Sequence, residues 1–146
     1  MTAVEFHTGI ADKVGFACRL LRKAYRQGAR VVVTGPGPQL AALDRELWTF
    51  AERDFIPHLR WMPGVEITRS ARTAIWLVDG EVPDDAPGVL VNLGAPAPPE
   101  PARFERIIEV LSADAGDLQP GRERWRAYVA AGLSPVKHAA PGETPA

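Results

Sequence analysis

The spacing of apolar residues divides most of the chain into alternating short strands and amphipathic helices. Residues 4–8 alternate between apolar and polar side chains, which predicts a first strand. Apolar residues then recur every three to four positions over residues 13–27, which predicts a helix with Asp12 as its N-cap and Gly28 after its last turn. The β-branched run of residues 29–34 follows at once and is typical of a buried parallel strand. A strand, a helix and a strand joined by short turns form a βαβ unit.

The same alternation continues towards the end of the chain. Residues 51–72 form a long apolar connection, and connections of this length tend to carry function or small strands of their own. The pattern predicts one α/β domain over residues 1–133, built as a three-layer sandwich with a mainly parallel sheet, and a flexible tail containing Pro and Gly at residues 134–146. Further strands are expected at residues 74–78, 89–93 and 107–111, and further helices at residues 39–50, 103–105 and 121–132.

The last predicted helix has the most distinctive polar face. Pro120 is expected as its first helical residue, and Gly132 stands where a left-handed residue ends a helix. Helical spacing places Arg122, Trp125 and Arg126 on one face, so that two guanidinium groups flank an indole. This combination suits an acidic peptide with an aromatic or apolar end. The alternative is that Trp125 anchors the core and that both arginines are simply solvated.

Bulk composition limits the classes of function. The length of 146 residues suits one domain, and the net charge of −1 provides no global positive field for nucleic acid. Cys18 is the single cysteine, so no internal disulfide can form. Together with the absence of a signal-peptide pattern, this predicts a cytoplasmic protein. No apolar run approaches the length of a membrane span.

Catalytic and metal-binding motifs are not found. Residues 34–38 follow a predicted strand, but they lack the Gly-Lys-Ser/Thr of a P-loop and the third Gly of the dinucleotide fingerprint. Their two prolines also remove N–H groups that could hold a phosphate. The three histidines have no partner at metal-ligand spacing. We therefore expect no catalytic residue, no metal and no cofactor. The alternative is a small Rossmann-like enzyme or nucleotide-binding protein with its site at the carboxyl ends of the strands, where residues 34–38 and Asp79 would lie.

Two segments, taken together, resemble one known family. The first is ELW at residues 46–48 with DFIPH at residues 54–58, and the second is RERWRAY at residues 122–128. With VEFHT at residues 4–8, the pattern is similar to the chi subunit of bacterial DNA polymerase III over nearly the whole chain. The resemblance implies a Rossmann-like fold without a nucleotide and a non-catalytic, accessory role in the clamp-loader complex of a DNA-directed DNA polymerase.

The resemblance also implies two protein partners on two surfaces. The psi subunit, expected in a one-to-one heterodimer, tethers chi to the clamp loader. The acidic C-terminal tail of single-stranded-DNA-binding protein (SSB) binds elsewhere, and it ends in a Phe that carries the terminal carboxylate. Neither role requires direct contact with DNA or with a membrane. An adaptor that binds SSB but has lost psi remains a further alternative.

The matching helix supplies the residues expected for the SSB tail. We expect Arg122 and Arg126 to face the carboxylates of the tail through charge-assisted hydrogen bonds. Trp125 and Leu111 are expected to wall a pocket for the terminal Phe. Leu118 stands where family members are expected to carry a basic residue, so the ionic attraction is expected to be weaker here.

The segment around the DFIPH motif supplies the residues expected for psi. Phe55 and Pro57 are the first choices for contacts, followed by Trp48 and His58. Exposed aromatic residues next to a long connection are typical of an interface hot spot. The alternative is that Trp48 and Phe55 simply close one end of the core.

Overall fold

The computed structural model describes residues 2–49, 56–61 and 73–139, and along them lie seven β-strands and three α-helices. The helices are α1 (Lys13–Arg26), α2 (Gly37–Thr49) and α3 (Ala115–Ala130), and a 3₁₀ turn lies at Pro101–Arg103. The strands are β1 (Ala3–Thr8), β2 (Val31–Thr34), β3 (His58–Trp61), β4 (Ile75–Val78), β5 (Val89–Asn92), β6 (Arg106–Val110) and β7 (Val136–Ala139). Among these residues, no helix is long and apolar enough to cross a membrane.

All strands of the described residues join one parallel sheet in the order β3-β4-β2-β5-β6-β1-β7. Helices α1 and α2 pack against each other and against one face of the sheet, while α3 covers part of the other face. The predicted three-layer α/β sandwich with a parallel sheet is therefore confirmed, and its architecture is Rossmann-like.

Side-chain alternation along the central strands separates the core into two clusters. Val31 and Val33 point towards α1 and α2, whereas Val32 points to the opposite face, where it belongs to the same core cluster as Trp76 and Tyr128. Each of these residues is at most 2% exposed. Because both faces are covered, the central strands β2, β4 and β5 are apolar at nearly every position, as is typical of a buried parallel sheet.

The predicted helix ends are confirmed where their capping groups are described. The side chain of Asp12 accepts a hydrogen bond of 3.0 Å from the N–H of Gly15, which makes it the N-cap of α1. Gly132 follows α3 with φ of 85°. The N–H of Gly132 donates to Val129 O and the N–H of Leu133 donates to Tyr128 O, each at 3.0 Å. This is the hydrogen-bond pattern of a Schellman C-cap.

The prediction that Pro120 begins the last helix is wrong, because α3 starts at Ala115 and contains Pro120. Proline inside a helix removes one backbone hydrogen bond, here to the carbonyl of Gly116. The first turn is held from outside the helix instead. The carboxylate of Asp117 accepts hydrogen bonds from the N–H of Ser112 at 2.8 Å and from Lys13 Nζ at 2.9 Å. These tertiary contacts extend the helix ahead of the proline.

Two segments differ from a simple connection or tail. Strand β3 lies inside the predicted connection of residues 51–72, in keeping with the expectation that it holds a small strand. Strand β7 lies inside the segment predicted as a flexible tail, and it pairs in parallel with β1, with Glu5 opposite Val136. All four residues of β7 are exposed, so the pairing depends on its backbone rather than on a buried face.

Candidate protein-binding surfaces

A buried polar cluster centred on Glu109 fixes α3 to the sheet. The Glu109 carboxylate lies in β6 and is 0% exposed. Arg124 Nε donates to Glu109 Oε1 at 2.9 Å, and the Tyr128 hydroxyl donates to Oε2 at 2.5 Å. Asn92, which lies opposite Glu109 in β5, donates to the same Oε2 at 3.1 Å. Three donors from two elements therefore surround one carboxylate and set the rotation of α3.

Burial dominates the electrostatics of this cluster. It raises the pKa of Glu109, and the Arg124 guanidinium offsets part of that effect. Burial also raises the pKa of Tyr128, with a further contribution from the negative charge of Glu109. Tyr128 therefore keeps its proton and remains a hydrogen-bond donor. Removing either partner of a buried ion pair of this kind strongly destabilises the fold.

Close packing of Leu111 against Gly121 brings α3 near the sheet. A Cβ atom placed on Gly121 would overlap Leu111 Cδ2, so only glycine fits at this position in the observed packing. Leu111 is 3% exposed and belongs to the same core cluster as Tyr128. The structure thus places Leu111 beneath α3, where it supports the helix and offers little surface to a ligand.

The residues that pack α3 against the sheet were not identified from the sequence. Gly121, Arg124 and Tyr128 are its buried residues, and they recur at the spacing of one helical face. One signal was present in the sequence. Glu109 is the single charged residue in the predicted strand of residues 107–111, and a buried carboxylate requires a cation or several donors.

The outer side of α3 carries three of the four residues expected for the SSB tail. Arg122 and Arg126 are exposed, and Trp125 is half-buried between them. The Trp125 ring lies 4.9 Å from the ring of Phe6, so part of the indole anchors the helix to β1. Leu118 is half-buried against the same core cluster. The structure therefore joins two exposed guanidinium groups to a partly exposed indole.

The start of α3 is tied to α1 by charge. The Lys13 ammonium, 8% exposed, also donates to the carbonyl of Leu93 in addition to its ion pair with Asp117. Burial by itself would raise the pKa of Asp117, but hydrogen bonds from Ser112 and Lys13 hold it below its ordinary value. This ion pair fixes the helix end nearest to Leu118.

Trp48 dominates the second surface, at the end of α2. It is 59% exposed, and its ring centroid lies 5.2 Å from that of His58 in an edge-to-face arrangement. The ring nitrogens of His58 lie 2.7 Å from Asp44 Oδ1 and 2.8 Å from the carbonyl oxygen of Ile56. The His58 side chain is 1% exposed, so it supports Trp48 from below. Pro57 is half-buried beside it, and Phe55 lies outside the described residues.

The two surfaces lie on different parts of the sheet. His58 begins β3, which lies at one end of the sheet formed by the described strands, and Trp48 contacts His58, whereas α3 packs over β6 and β1. From β3 to β6 there are four strand spacings, or about 19 Å. The two surfaces therefore do not overlap.

A cavity of about 650 Å³ lies at the carboxyl ends of β2, β4 and β5. This is the place that the alternative of a nucleotide-binding protein requires, and Thr34 and Asp79 both line the cavity. The Asp79 carboxylate occupies the N-terminal end of α2, since Oδ2 would lie 3.1 Å from a Cβ on Gly37. This negative charge disfavours a phosphate at the helix end. Within the described residues, no group of three side chains could hold a metal ion.

Comparison with known proteins identifies relatives over almost the whole chain. The family described as DNA polymerase III chi subunit, HolC, matches residues 1–136. DNA polymerase III subunit chi of Pseudomonas aeruginosa is 33% identical over 146 residues, which cover 97% of this chain and 99% of the relative. The solved C-terminal domain of the DEAD-box protein Dbp5 has a TM-score of 0.60 at 10% identity, covering 95% of this chain and 90% of that one. The last likeness concerns the fold alone.

Proposed function

The chain belongs to the DNA polymerase III chi subunit family, and from this membership we propose that it is a non-catalytic adaptor of the polymerase holoenzyme. By family it is an accessory subunit of a DNA-directed DNA polymerase. In the proposed role, one surface binds the psi subunit and thereby the clamp loader. The other surface binds the C-terminal tail of SSB. No step of this role needs a catalytic residue, a cofactor or direct contact with DNA.

The observation that carries the proposal is the separation of two different surfaces on one sheet. The surface at Trp48 is aromatic, and the surface on α3 is cationic with an indole between its guanidinium groups. A linker protein must hold both partners at once, and a distance of about 19 Å between the elements allows this.

The α3 surface has the chemistry that an acidic tail ending in Phe requires. Arg122 and Arg126 can form charge-assisted hydrogen bonds with carboxylates, including the terminal one. The exposed part of Trp125 offers a flat apolar wall to the terminal aromatic ring. Leu111 lies beneath Gly121, so its contribution to this surface is indirect. It supports α3 in the position that presents the arginines and Trp125.

The surface at α2 has the chemistry of an interface hot spot. Trp48 presents a large indole, and buried His58 holds that indole in place from below. Pro57 continues this surface, and Phe55 is proposed as a further contact with psi. An indole that is already oriented loses little conformational entropy on binding.

Tethering explains why such an adaptor needs only moderate affinity for each tail. SSB presents many tails on exposed template, and tethering through psi raises their effective concentration near chi. Ionic contacts at exposed arginines weaken with salt, so the affinity for the tail should fall as ionic strength rises.

Calorimetric titration tests the proposal directly. The protein is titrated with a peptide of the cognate SSB tail, and separately with the same peptide without its last Phe. Binding of the full peptide alone supports a pocket for Phe and its carboxylate. Equal binding of both peptides indicates unspecific charge attraction, and binding of neither to folded protein refutes the SSB-linking role.

The cavity at the strand ends is the observation that favours a second candidate, a nucleotide-binding protein or small enzyme. A thermal-shift screen with nucleotides tests it, because a ligand that binds only the native state raises the melting temperature. The Asp79 carboxylate at the start of α2 leads us to expect no shift.

A further inference from the structure

The cavity at the carboxyl ends of β2, β4 and β5 lies at a change of chain direction. After β2 the chain enters α2, on the face that holds α1. After β4 and β5 the chain passes to the other face, where Val82 and Ala97 pack against the second core cluster. Neighbouring parallel strands whose connections leave to opposite faces open a crevice at their ends, and α/β proteins place ligands there. The crevice here encloses about 650 Å³, within the usual range of small-ligand sites.

The charged groups at this cavity are mostly acidic. Four carboxylates line it, and Arg103 is the one cation among its lining residues. Arg103 is already engaged, since its Nη1 lies 3.6 Å from Asp84 Oδ1 and its Nη2 donates to the carbonyls of Val82 and Pro83. The local field therefore favours a cation over a phosphate. The carboxylates belong to Asp79, Glu81, Asp84 and Glu100.

One hydroxyl-bearing residue lies at the wall of the cavity. Thr34, the last residue of β2, lines the cavity and is 4% exposed. Among the residues that the structure describes, no group forms a hydrogen bond with its hydroxyl. A hydroxyl at the wall of a cavity can accept a hydrogen bond from a ligand that donates one.

The remaining walls are apolar. Four prolines line the cavity together with Val82 and Ala97, and prolines offer no N–H group for an anion. Such walls suit an aliphatic chain, while the carboxylates suit a positive charge at its end. The prolines are Pro36, Pro96, Pro98 and Pro99.

We propose that this cavity binds a primary ammonium group carried on an aliphatic chain. Its carboxylates attract the ammonium, the Thr34 hydroxyl accepts one of its hydrogen bonds, and the prolines pack against the methylene groups. A free polyamine and the lysine side chain of another protein share this chemistry. The site is separate from α3 and Trp48, so it adds to the adaptor role and does not depend on it.

Nuclear magnetic resonance titration of the full chain tests the proposal, with the backbone amides of Gly35, Gly80 and Gly94 as local reporters. Spermidine represents a free polyamine, and a capped Ala-Lys-Ala peptide represents a protein lysine. The same peptide with Glu in place of Lys, and ATP, serve as anionic probes. We expect saturable shifts at the reporters with either ammonium probe, and the probe that binds more tightly identifies the source.

Paired variants separate a specific site from general attraction by an acidic surface. The Asp79→Asn/Glu100→Gln double variant should weaken ammonium binding by about tenfold or more. A Glu46→Gln/Glu123→Gln variant changes the charge equally at exposed positions outside the cavity, and it should bind as the wild type does. Thr34→Val keeps a β-branched residue in β2 and should weaken binding by about fivefold.

Several outcomes would overturn the proposal. They are the absence of saturable shifts at the reporters, an equal loss of binding in the control variant, or tighter binding of ATP than of spermidine at the same amides. Thermal unfolding of each variant, carried out in parallel, shows whether the fold is intact. The SSB-tail titration remains independent, because its residues lie on α3.

Discussion

The Arg124 guanidinium and the Glu109 carboxylate meet inside the protein, with Nε 2.9 Å from Oε1 and side-chain exposures of 6% and 0%. This pair also explains the exposure of its neighbours. Residues two positions apart on a helix lie about 200° apart around its axis. Since Arg124 points into the core, Arg122 and Arg126 must point outwards. The buried ion pair therefore orients the surface proposed to bind the SSB tail.

Glu109→Gln should lower the free energy of unfolding by about 3–5 kcal/mol, because it leaves a buried guanidinium without a counter-charge. Urea denaturation at pH 7 measures this change. Glu105→Gln is the matched control, since Glu105 is exposed near the same strand and its substitution should change stability by less than about 0.5 kcal/mol. A cost of Glu109→Gln similar to that of the control would show that the pair does not hold α3 in place.

The residues that pack α3 against the sheet could not be predicted from periodicity, although the exposure of Arg122 and Arg126 could. Amphipathic patterns record apolar positions, and an arginine among apolar residues usually indicates the solvent side. Arg124 is buried because Glu109, 15 positions earlier, supplies its partner. That partner belongs to β6, and a helical pattern contains no information about it. The order of the three helices and of strands β1, β2, β4, β5 and β6 followed from local periodicity and was therefore predictable.

Strand β7 and the first turn of α3 could not be predicted for the same reason, because they depend on residues that are distant in the sequence. The β7 sequence lacks an apolar alternation, and its partner β1 lies at the other end of the chain. By local sequence alone, Pro120 indicates the start of a helix. The helix nevertheless begins at Ala115, where Asp117 contacts Lys13. Both elements depend on residues far away in the sequence, whereas Asp12 and Gly132 act on their own helix ends and were predicted correctly.

Gly121→Ala should lower the free energy of unfolding by about 1–3 kcal/mol, because the added methyl group would overlap Leu111 Cδ2 and force either the buried Leu111 side chain or α3 to shift. Gly116→Ala is the matched control in the same helix, since no atom lies within 4 Å of the added methyl group there. The control should be neutral or stabilising by up to about 1 kcal/mol, because alanine favours helices over glycine. Chemical denaturation compares the two variants. Equal stability of both would mean that α3 does not approach the sheet closely at Gly121.

Acid should weaken the contact between α3 and α1 through Asp117. The pKa of Asp117 is lower in the folded protein than its ordinary value of 3.8, so ionised Asp117 stabilises the fold. This contribution is complete above that ordinary value and is lost as the pH falls through the lower, folded-state pKa. Asp117→Asn should cost about 1 kcal/mol at pH 7, and stability should then depend less on pH below about 4. Denaturation curves at several pH values test this, with exposed Asp85→Asn as the control. An unchanged acid dependence in Asp117→Asn would contradict the assignment.

Arg122→Ala should weaken binding of the SSB-tail peptide by about tenfold or more while leaving the fold intact. The remaining binding should also depend less on salt, because one ionic contact has been removed. Arg45→Ala removes the same charge from an exposed position on α2 and should bind the peptide as the wild type does. Calorimetry at two salt concentrations measures both effects. Unchanged affinity in Arg122→Ala would show that this arginine does not contact the tail.

Trp48→Ala should abolish co-purification with the psi subunit while changing stability little, because the indole is 59% exposed. Truncation of an aromatic hot-spot residue typically costs 2 kcal/mol or more of binding free energy, or about 30-fold in affinity. Tyr25→Ala provides a control for the loss of an aromatic surface residue, since Tyr25 is 38% exposed on α1.

Phe55→Ala should behave like Trp48→Ala if both residues contact psi. Wild-type stoichiometry with psi in both Trp48→Ala and Phe55→Ala would place the psi interface elsewhere on the chain. Loss of psi binding in Trp48→Ala, with the SSB-tail affinity unchanged, would demonstrate that the two surfaces act independently, as an adaptor requires.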